Sequence, residues 1–480
     1  MERMGTMARK DTAGCGHEQT AETDVPKEEA RVDLAIVGGG FSGLCCAYHL
    51  LTHRDLPRSF RCAIIEPGER LGAGIAYRTD SPHHLLNVRA RGMSITENDP
   101  GSFVRWLREE APHFSPDAFV PRGLYRRYTN ACLNRAMEQR PDVLDVLRDE
   151  VLAVEAKGTS PWYRLRLKSG KSLRAGNLVL AVGNIPPRGS LDNGLLQCPW
   201  TPFEDYRSLR TMAIVGAGLT ALDVILEAEE RGFSGHCWVI SPHGQFPKAH
   251  HEPHIPLPPE LRDWAEELTA GRPGLRQLLR AFQLKRKSGI DWQFLVDSLR
   301  RHSPVIWSGF DLRDKRLFLR HFRTLWNTHL HRSCHRNMQE VSHLLDSGRL
   351  EQVAARVTGV EKLNGKGACA VRLLLTSATA ATLDVDMAFN GTGLFSDILR
   401  TDSPLVSQLI RDGLVQPDEL RLGLKINETG QLFMADGTLQ KGMFAIGTLR
   451  RGEELECTAV PEIRRQVSRM VEEIISTARP

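Results

Sequence analysis

Two stretches of this 480-residue chain share one pattern: an unbroken apolar run, closely spaced glycines, then helical patterning. Residues 34–37 show no alternation of apolar and polar positions, which predicts a strand buried on both faces. They lead into Gly38-Gly39-Gly40-Phe41-Ser42-Gly43 and a helix over residues 42–51. The pattern returns at 211–215, followed by Gly216-Ala217-Gly218-Leu219-Thr220-Ala221, a helix over 219–231 and a strand over 237–240. A further buried run, 178–182, stops at Gly183 ahead of Pro186-Pro187. From about 261 to 348 the pattern is helical and rich in Leu, Arg and His; strand-like runs resume at 353–360, 370–375 and 383–389.

The spacing of the glycines carries chemistry. Gly38 allows the tight turn, Gly40 the approach of a pyrophosphate to the backbone, and Gly43 close packing of helix on strand. Phe41 and Ser42 open a helix whose unpaired N–H groups favour anions. Glu66, closing the run 62–65, stands where a carboxylate receives ribose hydroxyls. In the second unit Gly216, Gly218, Leu219 and Thr220 form the cradle, and Ala221 replaces the third glycine. Its second strand ends at Ser241-Pro242-His243 with no acid, which favours NADPH and leaves NADH open; Ser241, His243 and Lys248 are candidates for the 2′-phosphate. Two such cradles in one chain predict FAD in the first and a nicotinamide cofactor in the second.

The expected fold is therefore α/β, with two Rossmann-like dinucleotide-binding domains, the NAD(P) domain nested in the FAD domain. Residues 1–30 read as a disordered polar tail and 31–205 as the first part of the FAD-binding domain. Residues 206–348 read as the NAD(P)-binding domain with a helical insertion at about 261–348, and 349–480 as the chain returning to complete the FAD domain.

Composition narrows the function. A net charge of +5 and 6% aromatic residues give no nucleic-acid platform. The ten cysteines include no C-x-x-C pair, which argues against dithiol chemistry, zinc and iron–sulfur ligation. His250, His251 and His254, and the pair His329 and His331, lack the Cys or carboxylate spacing that would complete a metal set, so no metal is expected. No apolar run reaches membrane-spanning length and the first thirty residues lack a signal-peptide core, which predicts a cytoplasmic protein. Lys285-Arg286-Lys287 and residues 313–316 make the insertion basic; a solvated helical cap over the nicotinamide site is expected rather than a nucleic-acid face.

Four segments add a resemblance. They are Gly72-Ala73-Gly74-Ile75-Ala76-Tyr77 with His84-Leu85-Leu86-Asn87-Val88-Arg89-Ala90 and Met93-Ser94; Gly218-Leu219-Thr220-Ala221-Leu222-Asp223; Phe318-Leu319-Arg320-His321 with Trp326 and His329-Leu330-His331-Arg332; and Ala445-Ile446-Gly447-Thr448 with Arg450-Arg451-Gly452 and residues 456–464. Over most of residues 31–470 the chain resembles a bacterial FAD/NAD(P)-binding family related to class B flavin N-hydroxylating monooxygenases, of the aspartate N-oxygenase (nitrosuccinate synthase) kind. Arg89 departs from a common proline, Leu330 from a basic residue, and Pro242-His243 from arginines. The Phe-x-Gly-x-x-x-His signature of ketone and sulfur monooxygenases does not occur between Gly183 and Arg210.

The resemblance implies that NADPH reduces FAD and that O2 adds at flavin C4a to give a hydroperoxide. A small primary amine, an L-amino acid with aspartate first, then attacks the distal oxygen. It implies that Asn87 and Ser94 position the flavin or the amine. Arg89 and Arg450 are candidates to meet a substrate carboxylate, with Arg91, Arg320, Arg323 and Arg451 as further candidates. Gly183, Gly393 and Gly447 are expected at the cofactors, although Asn390-Gly391-Thr392-Gly393 also reads as a plain turn. Thr458 or Glu456 is expected to compensate for the aspartate missing after Gly447. Two other readings stay open: a reductase passing electrons to an acidic protein partner, and a non-catalytic nucleotide-responsive protein. Assembly into a homo-oligomer is also open.

Overall fold

The computed structural model describes residues 29–156, 162–185, 194–201, 203–363, 370–376, 380–393 and 397–478. All but the last two residues of the expected tail lie outside these. In chain order the strands are β1 (Ala30–Val37), β2 (Cys62–Ile65), β3 (Leu144–Leu147), β4 (Val151–Ala156), β5 (Tyr163–Leu167), β6 (Ser172–Leu180), β7 (Thr211–Val215) and β8 (His236–Ser241). There follow β9 (Leu350–Ala354), β10 (Arg356–Lys362), β11 (Val371–Thr376), β12 (Thr382–Val385), β13 (Met387–Asn390), β14 (Gln431–Phe433) and β15 (Leu439–Ala445).

The first sheet runs β14-β15-β6-β1-β2-β3, with the β4–β5 hairpin joined to β6. Its centre is parallel: Leu34 pairs with Cys62 on one side and Asn177 on the other. Leu34, Ala35 and Ile36 are fully buried, as the lack of alternation in that run requires. The helices Phe41–Thr52, Arg122–Gln139 and Val460–Ala478 cover one face; the hairpin and the helix Pro404–Arg411 cover the other.

The second sheet is parallel throughout, in the order β13-β7-β8-β9. This corrects the expectation that the chain rejoins the first sheet after Gly348. β9 pairs with β8 (Val239 with Gln352), and β13 pairs with β7 (Ile214 with Phe389). The antiparallel β10-β11-β12 sheet lies between them in sequence. Among the described residues, the helix Pro404–Arg411, β14, β15 and the last helix return to the first domain. The insertion is also shorter than expected. Helix His335–Asp346 packs Val341 and Leu344 against the second sheet's own core. The helices from Pro259–Ala270 to Arg323–Leu330 instead enclose Trp307 with Ala265, Leu275, Leu299, Phe310 and Phe318. No helix among the described residues is long and apolar enough to cross a membrane.

Candidate functional site

At the end of β1 the chain turns at Gly38, whose φ is 103°. A side chain there would collide with the Ala181 carbonyl, and one on Gly43 would collide with the Gly38 carbonyl. The glycines thus let the helix Phe41–Thr52 start directly against the strand. Its N-cap, Gly40, provides no side-chain cap, and its first turn carries no acid, so the terminal N–H groups stay available to an anion. Ser42 belongs to that first turn, and a Cβ on Gly447 would lie 3.5 Å from its Oγ. Glu66 accepts the Gly39 N–H at 2.6 Å and the Gly68 N–H at 2.8 Å. Gly38, Gly40, Glu66 and Gly68 line a cleft of about 500 Å³ that also includes Gly74 and Gly183.

The cradle fits a dinucleotide. A Cβ on Gly183 would meet nothing within 4 Å, and one on Gly40 would meet only Gly74. The open volume therefore lies where the helix N-terminus points. Buried Thr448 donates its hydroxyl to the Gly183 carbonyl, and Gly447 N–H donates to Gln466 Oε1 at 3.0 Å. Thr458 is exposed, just before the helix Val460–Ala478.

The second cradle repeats the geometry. Gly216 has φ 110°, and a side chain there would collide with the Gly391 carbonyl. Gly218 caps the helix Leu219–Glu230 without a side-chain bond; Cβ atoms on Gly218 and Gly393 would meet nothing within 4 Å. Leu219 and Thr220 form the first turn of that helix. Residues 390–393 thus stand beside the second cradle. Ser241 ends β8 half-buried, with its carbonyl accepting from Gly244 and Ala355, and His243 is exposed beyond it. Lys248 is exposed in the next loop and lines a separate cleft of about 320 Å³ with Phe246 and Met338.

The four residues expected at the chemistry are placed differently. Ser94 is fully buried, with its hydroxyl 2.8 Å from Thr96 O, 2.6 Å from Asp99 O and 2.8 Å from Ser102 Oγ. It organises its own loop. Arg89 is also engaged. It donates to Asp117 O at 2.7 Å and His251 O at 2.6 Å, and its guanidinium lies over the Phe119 ring. Arg89 thus ties the segment around Asp117 to the loop around His251. Asn87 contributes a carbonyl to the same joint, 3.0 Å from His250 Nε2. Arg450 is 2% exposed and packed under Gly430; its Nη2 pairs with Glu454, while its Nε and Nη1 have no hydrogen-bond partner. Arg91 pairs with Asp117.

One cluster was missed in the sequence. Trp326, on the insertion, donates its indole N–H to Glu456 Oε1 at 2.9 Å, and His331 Nε2 lies 3.7 Å from Oε2. Arg300 pairs with Glu462 at 3.4 Å nearby. Burial pushes the Glu456 carboxyl up to about 7, against the pull of Trp326 and Arg300. Burial, with Arg300 second, holds His331 down to about 4. Burial, with Arg332 second, holds His250 down to about 3. The insertion therefore meets the first domain through the Arg300–Glu462 ion pair and through Glu456 and His331, two groups whose charged forms burial disfavours. Glu456 and His331 both stood in the quoted segments, but only their contact distinguishes them from other polar residues.

Residues 35–185 match the protein family described as FAD-NAD(P)-binding. None of the curated proteins searched matches the chain. Among solved structures the fold is similar to ornithine N-hydroxylase of Kutzneria sp. 744, with TM-score 0.62 and 17% identity over 94% of this chain and 100% of that one. It is similar to L-lysine 6-monooxygenase from Pseudomonas syringae, with TM-score 0.58 and 14% identity over 93% and 100%. It is also similar to the bacillithiol disulfide reductase of Staphylococcus aureus, with TM-score 0.54 and 12% identity over 94% and 100%. The chain thus has the two-domain Rossmann-type architecture of these flavoproteins, with an FAD/NAD(P)-binding domain at its N-terminal end.

Proposed function

We propose that this protein is an FAD- and NADPH-dependent monooxygenase that hydroxylates the nitrogen of a small primary amine, with an L-amino acid as substrate and aspartate the first to test. The observation that carries this reading is the pair of capless helix N-termini, each opening onto space that only glycine leaves free. The likeness to two amine N-hydroxylases over nearly their whole length supports it. When bound, FAD would take hydride from NADPH and activate O2 for transfer of one oxygen atom to the amine. The chain's own part is to bind and to exclude water. Gly40, Gly43 and the helix behind them receive the FAD pyrophosphate. Glu66 is fixed by two backbone amides and retains lone pairs for ribose hydroxyls. Gly218 and the helix Leu219–Glu230 receive the NADPH pyrophosphate, and Ser241, His243 and Lys248 are the candidates for the 2′-phosphate.

The insertion, docked through Trp326 and Trp307 onto residues 452–456, would shield the reacting centre from solvent. Burial pushes the Glu456 carboxyl up to about 7 at this seam, where Trp326 donates to it. The deciding experiment is oxygen uptake with NADPH across amino acids and polyamines, with product masses. A mass gain of one oxygen on one amine, with matching O2 consumption, supports the reading. NADPH oxidation that needs a protein acceptor and consumes no amine supports a reductase, a chemistry that the likeness to a disulfide reductase keeps in view.

A further inference from the structure

The two nucleotide domains are joined by a buried ion pair. Arg122, the first residue of helix Arg122–Gln139, donates Nη1 to Asp223 Oδ2 at 2.6 Å and Nη2 to Asp223 Oδ1 at 3.2 Å. The side chains are 13% and 8% exposed. The same guanidinium donates Nε to Leu85 O at 3.1 Å. Asp223 lies on the helix Leu219–Glu230, little more than one turn from the cap Gly218. Two other carboxylates at helical spacing turn toward the first domain. Glu227 lies 3.8 Å from His84 Nε2, and Glu230 accepts the Ser81 hydroxyl at 2.7 Å. His84 also has its Nε2 3.1 Å from Asp223 O and its Nδ1 2.7 Å from Thr79 Oγ1.

The segment between these contacts works as a strap. His83 O accepts from Asn337, Leu85 O from Arg122, and Asn87 O pairs with His250, while Arg89 reaches His251 O. Both domains therefore hold the same seven residues.

Net stability is a poor explanation for such a pair, because apolar replacements of buried ion pairs are often as stable. What a planar, two-point contact provides is a single geometry. Hydride transfer needs that: the reacting atoms must stand about 3–3.5 Å apart, and a displacement of about 1 Å costs about 100-fold. The helix fixed by the pair is the one whose N-terminus forms the second cradle.

We propose that Arg122 and Asp223 are positioning residues whose ion pair sets the second cradle against the first, so that the nicotinamide meets the flavin ring in one orientation. The catalytic consequence rests on the FAD/NADPH reading above; the fixed joint rests on its own geometry.

Anaerobic stopped-flow and hydrogen exchange test both parts. In Asp223→Asn and Arg122→Lys, FAD content, NADP+ affinity and reduction by dithionite stay at wild-type values. Reduction by saturating NADPH falls about 100-fold, and amides of residues 83–89 exchange about tenfold faster or more. Arg122→Lys keeps the charge and loses only the fork, so it carries the test if Asp223→Asn does not fold. A folded variant that accepts hydride at the wild-type rate overturns the positioning role. Wild-type protein that binds no FAD, or is not reduced by NADPH, overturns the functional reading instead. In that case unchanged exchange over 83–89 in the variants overturns the joint, and faster exchange upholds it.

Discussion

Glu66 accepts the amide hydrogen of Gly39 at 2.6 Å, so the carboxylate at the end of β2 is tied to the turn at the end of β1 by the chain's own backbone. Its second oxygen is held by Gly68 N–H. The acid is thus preorganised rather than hanging in the cleft.

Replacing it tests the first cradle. Glu66→Gln presents an amide N–H₂ to one of two backbone donors and removes the charge. Hydrogen bonds to charged groups contribute about 1.5–3 kcal/mol, so FAD binding should weaken roughly tenfold to a hundredfold. Titration of the apoprotein followed by flavin fluorescence measures this.

Two glycines of the second cradle should respond in opposite ways. Gly216 combines φ 110° with a carbonyl in the path of a Cβ, so Gly216→Ala should destabilise the fold by about 1–3 kcal/mol or more. Gly218 has open space where its Cβ would go, so Gly218→Ala should keep the wild-type Tm. That space is where the pyrophosphate is expected, so the same variant should raise the KM for NADPH. Equal Tm losses in both variants would remove the distinction.

Stability should carry the signature of Glu456. Folded protein keeps that proton up to about pH 7, whereas the ordinary carboxyl loses it near 4.5. The unfolded state then binds fewer protons between these values, so stability falls as pH rises through this window. His331 acts oppositely at lower pH: its contribution is present above 6.5 and lost as pH falls through about 4. Comparing Glu456→Gln with wild type in thermal unfolding above about pH 6.5 isolates the carboxyl. The variant should gain on wild type up to about pH 8 and then run parallel.

Cofactor choice should turn on the end of β8. An acid at Ser241 would accept ribose hydroxyls and repel a 2′-phosphate. Ser241→Asp should therefore lower the ratio of kcat/KM for NADPH over NADH by roughly tenfold to a hundredfold. An unchanged ratio would move the phosphate site elsewhere, with Lys248 the next residue to replace.

Both cradles were readable in the sequence because each needs glycine at fixed offsets from a buried strand, and local geometry enforces that spacing. Ownership of the strands after Gly348 was not readable. β9 and β13 are short and mostly apolar, and nothing in such a run says which sheet will pair with it. The partners of the site residues were hidden for a related reason. Arg89 and Ser94 stand in a segment whose chemistry suggested ligand contact, yet Asp117, His251, Asp99 and Ser102 satisfy them from distant or folded-back chain. Arg122 and Asp223 are 101 positions apart, and no local pattern announces their meeting.

The insertion leaves and re-enters the second domain at neighbouring points. Lys248 N–H donates to Thr328 O, Ser333 N–H to Lys248 O, and Ala249 bridges Ser333. A closed neck of this kind lets evolution, or an engineer, exchange the whole helical module without re-registering a nucleotide-binding strand. Sequence divergence can then accumulate in one helical cassette while both nucleotide-binding sheets stay constant, and chimaeras cut at that neck are the natural units for exchanging it together with its docking residues 452–462.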